Sequence, residues 1–569
     1  MVVGAFAEVI SLGAVLPFIG ILVAPDRVFN HPAAAHFVRA WGITSPNQLV
    51  LPLTVAFASA ALLAGAVRTL LLWGSTRLSY ACGAEVSMDV YRRTLYQRYQ
   101  THVARNSSVV ISGITTKVHE AVNVLYLSLT FISSTLSGVA IVLALIAIDP
   151  LVAAVATISF GASYGLTRWI FRRRLHRNSQ CVAYEQTQLV KAIQEGLGGI
   201  RDVLLDGTQS TYCDIYRHAD QPLRRAQGSN IFIAQSPRFI IETFGMLLIA
   251  GLAYGLSRQV GGVATALPVL GALALGAQRL LPILQMGYSS WAGVVSNHGS
   301  LADTIKLLDQ PLPADILLPT PAPLPFRNAA RFNAVRFRYT ADGPWVLDDL
   351  NLTIHKGSRV GLVGTTGSGK STALDLLMGL LTPTEGEVLV DGQPVTGSNV
   401  RGWQRTIAHV PQSIYLTDST LAENIAFGVP HEAIDRERVK CAASQAQIAS
   451  FIEGCIGGYD TKVGERGIRL SGGQRQRIGI ARALYKQASV LVFDEATSAL
   501  DNATEQSVME AIGGLDRELT ILLIAHRLTT VRRCDTIVEL EHGRVVAQGT
   551  YDQLLQSSPS FRGMARAVV

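Results

Sequence analysis

Long apolar runs alternate with charged stretches through the first half of the chain, and short apolar runs alternate with helical periods through the second. A membrane-spanning helix needs about 20 mostly apolar residues. The first half holds six such runs: Val2–Val23, Leu51–Trp73, Val122–Ile148, Leu151–Phe171, Ile231–Leu256 and Val263–Met286. Six spans return the chain to the side on which it started. The segment Arg77–Ala121 carries Arg92, Arg93, Arg98, Arg105 and Lys117, and the segment Arg172–Asn230 carries Arg172, Arg173, Arg174, Arg177, Lys191, Arg201, Arg224 and Arg225. The opposite connections are poorer in charge: Asp149-Pro150 reads as a tight turn, and the turn after Leu256 carries only Arg258. Cytoplasmic loops hold the excess of Lys and Arg, so both long segments are predicted to be cytoplasmic. They also carry a helical period, which predicts helices running well past the bilayer.

The first outside loop, Ala24–Gln48, is long and carries Phe29, His31, His36, Phe37 and Trp41. An aromatic, weakly charged stretch of this kind either lies flat in the membrane interface or is a plain solvated loop. Ionisable groups within spans are costly and point to function by default. Arg68, Arg238 and Arg279 fall in the second, fifth and sixth spans, and Glu8 and Glu242 in the first and fifth. Two readings stand. One is Arg–Glu pairing with snorkelling near helix ends. The other is a cationic cavity for a phosphate-bearing substrate, which guanidinium binds in a bidentate fork.

Leu308–Phe326 is Pro-rich and reads as an extended linker, which divides the chain into a membrane domain (1–307), a linker (308–326) and a second domain (327–569). The second domain alternates strands and helices in an α/β pattern. Composition agrees with the division. Charged residues make up 16% of the chain and hydrophobic ones 49%, against about 25% charged in ordinary soluble proteins. The net charge of +7 comes from arginines beside apolar runs, which reads as membrane topology, and no nucleic-acid partner is expected. The 6 cysteines are scattered without a C-x-x-C pair, so neither a zinc site nor a disulfide framework is expected, and the thiols are expected to be reduced. The apolar N-terminus lacks the basic start of a cleaved signal peptide.

The chemistry centres on Gly364-Thr365-Thr366-Gly367-Ser368-Gly369-Lys370-Ser371, which fits G-x-x-x-x-G-K-[ST] without a mismatch. The apolar run Val360–Val363 predicts a strand before it, and Thr372–Leu381 a helix after it. Glycines let backbone N–H groups turn inward around an anion, and the helix start adds a positive dipole. Lys370 can reach β- and γ-phosphates, and Ser371 can hold Mg²⁺. Val490–Glu495 is an apolar strand ending in two carboxylates; Asp494 suits Mg²⁺ through water, and Glu495 suits polarising an attacking water. Tyr339, ahead of the loop, can stack on a base. Leu470-Ser471-Gly472-Gly473-Gln474 precedes a helix with Arg475 and Arg477 and makes a second anion-binding helix start. Two phosphate sites at different places in one domain suggest a head-to-tail dimer with nucleotide between copies.

This set closely resembles the ATP-binding-cassette superfamily. Its other motifs stand in order: the aromatic loop at Tyr339, Gln412, Val463-Gly464-Glu465-Arg466-Gly467, Ser498-Ala499-Leu500-Asp501, and His526 in Ala525-His526-Arg527. The resemblance covers Arg331–Leu555 and implies ATP and Mg²⁺ as cofactors. It places Tyr339, Gly364–Thr372 and Ser471–Gln474 on the nucleotide, Ser371, Gln412 and Asp494 on the metal, and Glu495, Gln412 and His526 in the chemistry. Six spans before one such domain resemble an exporter half-transporter, a membrane α-helical domain fused to an α/β P-loop nucleotide-binding domain, working as a homodimer. In that family, short coupling helices would fall near Gln100–Ser108 and Gly207–Ile215.

A narrower resemblance is to bacterial lipid-linked oligosaccharide flippases. It rests on Glu8 through Leu16-Pro17-Phe18, the long first outside loop, Arg68, Ser236-Pro237-Arg238 with Glu242, and Arg279-Leu280-Leu281-Pro282. In those flippases the outside helix is associated with the polyprenyl tail and the membrane arginines with pyrophosphate. Two departures stand out: a family arginine a turn beyond Arg279 is replaced near Met286, and the chain starts inside the first span without the family's amphipathic N-terminal helix. The resemblance implies ATP-driven movement of a membrane lipid or lipid-linked glycan across a bacterial inner membrane, with the nucleotide domain in the cytoplasm. A general lipid or drug exporter is the alternative, and a non-transporting ATP-binding regulator a third. Glu495 and His526, both present, argue against the last.

Overall fold

The computed structural model describes residues 1–23, 45–148, 150–257, 262–312, 321–494, 518–524 and 528–566, with a few isolated positions between. It divides into two compact units, Met1–Gln97 with Arg105–Leu312, and Arg98–Ala104 with Pro313–Val569.

In the first unit, long helices cover all the predicted spans: α1 (Val2–Val23), α2 (Val50–Leu95), α3 (Val118–Ile148), α4 (Pro150–Gly198), α5 (Gln209–Ser257) and α6 (Gly262–Ser296). Among the described residues, two stretches, Val50–Leu95 and Ser107–Ala147, are both long and apolar enough to cross a membrane. The expected extensions are present. α2 has 46 residues and α4 and α5 have 49 each, so each runs about 70 Å at about 1.5 Å per residue, more than twice a hydrocarbon core of about 30 Å. Pro150 opens α4 at its first position, where the missing N–H costs no hydrogen bond. Ile141, Leu145, Phe160, Tyr164, Ile241, Leu280 and Tyr288 form a buried cluster joining α3, α4, α5 and α6. Pro237 interrupts the hydrogen-bond ladder of α5, and Gln285 of α6 donates its Nε2 to the nearby Ala234 carbonyl at 2.9 Å. Tyr164 of α4 donates in turn to Gln285 Oε1 at 3.0 Å, so one amide ties three helices together at the break.

In the second unit, strands β1 (Ala329–Phe337), β2 (Leu347–His355), β4 (Glu385–Val390) and β5 (Gln393–Pro394) form an antiparallel sheet of order β2-β1-β4-β5. The other strands are β3 (Arg359–Val363), β6 (Ile407–Val410), β7 (Val490–Asp494), β8 (Thr520–Ile524), β9 (Thr536–Glu541) and β10 (Arg544–Gly549). They form a sheet of order β10-β9-β3-β8-β7-β6, parallel except for the β9–β10 hairpin. The inner strands read as continuous apolar runs because a parallel sheet is covered on both faces. Val360, Leu362, Val492 and Leu522 face one buried cluster, while Val363, Leu491, Phe493 and Leu523 face the other. Such a sheet binds ligands beyond the carboxyl ends of its strands, and β3, β6, β7 and β8 all end at one edge.

Candidate functional site: a phosphate loop and its carboxylates

The phosphate loop leaves β3, the strand held between β8 and β9. Gly364 has φ +145°, and a Cβ there would lie 2.1 Å from the Leu540 carbonyl oxygen, so no side chain fits. Gly369, at φ +98°, caps helix α7 (Lys370–Leu377) in a left-handed conformation that favours glycine. Lys370 is buried, and its Nζ donates to the carbonyls of Gly364 and Thr365 at 2.9 Å each and to Ser368 Oγ at 3.3 Å. The ammonium is thus held over the mouth of its own loop, with the first-turn N–H groups of α7 beside it. This cradle fits a polyphosphate. Tyr339 stands against the same helix: its phenol oxygen is 3.2 Å from Thr372 Oγ1, and its ring meets Phe337 edge-on at 5.0 Å.

Asp494 ends β7, paired in register with Ile524 at the end of β8. Ser371 lies in the first turn of α7, and Asp375 is one turn further along the same face. Burial and the nearby Asp494 push the Asp375 carboxyl up to about 6. A hydroxyl and clustered carboxylates form a hard-oxygen donor set of the kind Mg²⁺ takes. No sequence motif marks Asp375; its spacing of four from Ser371 is the one local signal. Gln412 is exposed two residues beyond β6, at the same strand-end edge. Glu495 and His526 lie outside the described residues, each within two residues of a described strand end. So does Ser498–Asp501.

Ser471 caps helix α8 (Gly472–Tyr485) in a reciprocal capping box: Gln474 N donates to Ser471 Oγ at 3.2 Å, and Ser471 N donates to Gln474 Oε1 at 2.8 Å. Gly472 and Gly473 form its first turn, so the predicted helix start is present, on an element separate from α7. Gly464 and Gly467, at φ +76° and +68°, shape the turn ahead of it. A cavity of 770 Å³ elsewhere in this unit is lined by Gln404, His409, Arg438, Arg482 and Lys486, and its lining includes none of the predicted site residues.

Of the membrane arginines, Arg68 Nε lies 3.2 Å from Glu8 Oε1, joining α2 to α1. Arg238 Nε lies 2.8 Å from Glu242 Oε1, one turn on within α5. Arg279 falls in α6, and its side chain lies outside the described residues. The Phe29–Trp41 loop lies outside them as well, apart from Phe29.

A phosphate loop on a mostly parallel sheet, following a bundle of long apolar helices, defines a membrane protein with its own nucleotide-binding domain. The family model for the ABC transporter matches residues 347–498. An ATP-dependent lipid A-core flippase of Ralstonia nicotianae is 42% identical over 241 residues, spanning 42% of this chain and 41% of that protein's length. A flippase of the same description from Burkholderia orbicola is 30% identical over 499 residues, 85% of this chain and 80% of that protein. A solved bacterial Atm1-family ABC exporter with ATP bound is 27% identical and superposes with a TM-score of 0.80, covering 100% of this chain and 98% of that one. The match spans about two fifths of the first of these flippases, and the chain belongs to the ABC transporter family, with the arrangement of an exporter-type half-transporter.

Proposed function

We propose that the chain works as a homodimer in a bacterial inner membrane. ATP hydrolysis there drives an amphipathic lipid across the bilayer, with a polyprenyl-pyrophosphate-linked oligosaccharide as the substrate that fits best. The relatives' description as lipid A-core flippases supports a lipid substrate. The observation that carries the finer reading is a charge count. The spans hold 4 arginines, with Arg168 over the ring of Trp291 at 5.0 Å, and 2 acids, and each intramembrane charge costs roughly 2.5–3.5 kcal/mol. Glu8 is engaged with Arg68 and Glu242 with Arg238, so both acids are committed before Arg279 is reached. A surplus cation at Arg279, doubled in a homodimer, suits a pyrophosphate, while the lipid tail stays in the bilayer or against the Phe29–Trp41 loop.

In the nucleotide domain, Gly364, Thr365, Thr366, Gly367, Ser368, Gly369, Lys370, Ser371 and Thr372 hold the triphosphate, and Tyr339 stacks on the base. Ser371, Asp494 and Gln412 would hold Mg²⁺, which would supply positive charge to offset that of the triphosphate. Glu495 takes the proton of the attacking water, and His526 steadies the γ-phosphate. Ser471, Gly472, Gly473 and Gln474 of the partner copy close over the triphosphate.

The test is mass spectrometry of lipids co-purified with a Glu495→Gln variant, together with transport by Arg279→Ala. Pyrophosphate-linked lipids in the first and abolished flipping in the second are expected. Arg279→Lys should rescue only in part, because a point charge replaces a bidentate fork. A second reading, a general lipid or drug exporter, is favoured by the engagement of Arg68 and Arg238 with acids. Unchanged transport in all three arginine-to-alanine variants would establish it in place of the first.

A further inference from the structure

Seven residues from the N-terminal half of the sequence, Arg98–Ala104, group with the nucleotide-binding unit. They form the short helix Tyr99–Ala104. Its Gln100 donates Nε2 to the backbone carbonyl of Tyr339 at 3.1 Å, across a sequence separation of 239 residues. Tyr339 is restrained in two further ways: Phe337 meets its ring, and Thr372 meets its phenol oxygen. Those two contacts fix the side chain. The Gln100 contact fixes the main chain, where the polypeptide leaves β1 and enters the loop Thr340–Pro344. The ring of Tyr99 stands in the same place. Burial, with Asp375 and Tyr339 alongside, holds its phenol above the ordinary value. Two tyrosine rings therefore border the end of α7 that carries Thr372 and Asp375, each with about two-fifths of its surface exposed.

We infer that the helix Tyr99–Ala104 is part of the pocket for the purine base of a nucleoside triphosphate, with Gln100 acting as a positioning residue for Tyr339. The inference rests on the reading of Tyr339 as the residue that stacks on the base. Its chemistry is specific. A backbone carbonyl accepts and cannot donate, so position 100 needs a donor of glutamine-like reach. Gln100→Glu keeps the shape and removes the donor, whereas Gln100→Lys keeps a donor.

The experiment measures ATPase kinetics of the full-length protein in lipid nanodiscs, with inorganic tripolyphosphate as a base-free competitor. For Gln100→Glu, a rise of about fivefold in KM for ATP is expected, the size of one lost hydrogen bond. Turnover at saturating ATP should stay within about twofold, and the tripolyphosphate inhibition constant should not move. Gln100→Lys should restore KM. A KM for Gln100→Glu equal to the wild type, while Tyr339→Ala raises it, would overturn the inference and leave the stacking role of Tyr339 standing. Equal weakening of ATP and tripolyphosphate would also overturn it, since a general disturbance of the domain acts on both. If Tyr339→Ala itself leaves KM for ATP unchanged, the stacking role fails and the inference fails with it.

Discussion

Ser471 performs one visible task, capping α8, and is assigned a second, contacting the triphosphate held by the partner copy. One substitution separates them. Aspartate caps a helix as well as serine does, so Ser471→Asp preserves the acceptor for Gln474 N that the structure shows at 3.2 Å. Its negative charge also suits a helix start, so thermal stability of the resting protein should be unchanged. Against a triphosphate the same carboxylate is repelled. Unit charges about 4 Å apart interact by about 4 kcal/mol at an effective dielectric near 20, which is close to a thousandfold in binding or turnover. Ser471→Ala supplies the control. It loses the cap, at about 1 kcal/mol, and adds no repulsion, so it should lower stability slightly and activity by far less than Ser471→Asp. The assay pairs differential scanning fluorimetry without nucleotide with ATPase titrations from micromolar to millimolar ATP. Mixed dimers of Ser471→Asp with Lys370→Ala then report the geometry: the two lesions fall in one composite site and leave the other intact, so at most one competent site per heterodimer is expected. A Ser471→Asp protein with the wild-type KM and turnover would show that Ser471 does nothing but cap α8, and the sandwich arrangement would fall.

Glu495→Gln should bind ATP and accumulate as a closed dimer while losing about 10²–10⁴-fold in turnover; wild-type ATPase rates would remove Glu495 from the role of base. Cys534 is buried, and burial beside Asp535 pushes its thiol up to about 12, whereas Cys213 and Cys441 are exposed. Brief N-ethylmaleimide treatment of the native protein at pH 8 should therefore label those two and spare Cys534 until denaturant is added, as read by peptide mass spectrometry. Trp403 is fully buried and donates its indole N–H to the Leu377 carbonyl at the end of α7, at 2.6 Å. Trp403→Phe strands that carbonyl at a cost of about 1–3 kcal/mol, and should lower the melting temperature of the nucleotide-binding domain with little change in the apolar contact to Phe326.

What could be read from the sequence was local. Gly364–Ser371 is eight consecutive residues whose glycine positions are dictated by backbone conformation, and Gly364 and Gly369 do take up φ values that other residues avoid. The apolar runs depend only on length and composition, and each became a long helix. Ser471 and Gln474 form a capping box at a spacing of three, and Arg238 pairs with Glu242 at a spacing of four; one helical turn brings such residues together whatever else the chain does. The rest depended on distant parts of the chain meeting. Glu8 and Arg68 are 60 residues apart and touch only because α1 packs on α2. Asp375 becomes a weaker acid only because the fold buries it and β7 delivers Asp494 beside α7. Family resemblance places a short coupling helix near Gln100–Ser108, but that Gln100 meets the Tyr339 carbonyl depends on a segment of the N-terminal half grouping with the nucleotide-binding fold. Short-range periodicity constrains neighbours one turn away, whereas the strand order β10-β9-β3-β8-β7-β6 and the partners of long side chains are settled by how apolar faces find each other in space, which no single stretch of sequence encodes.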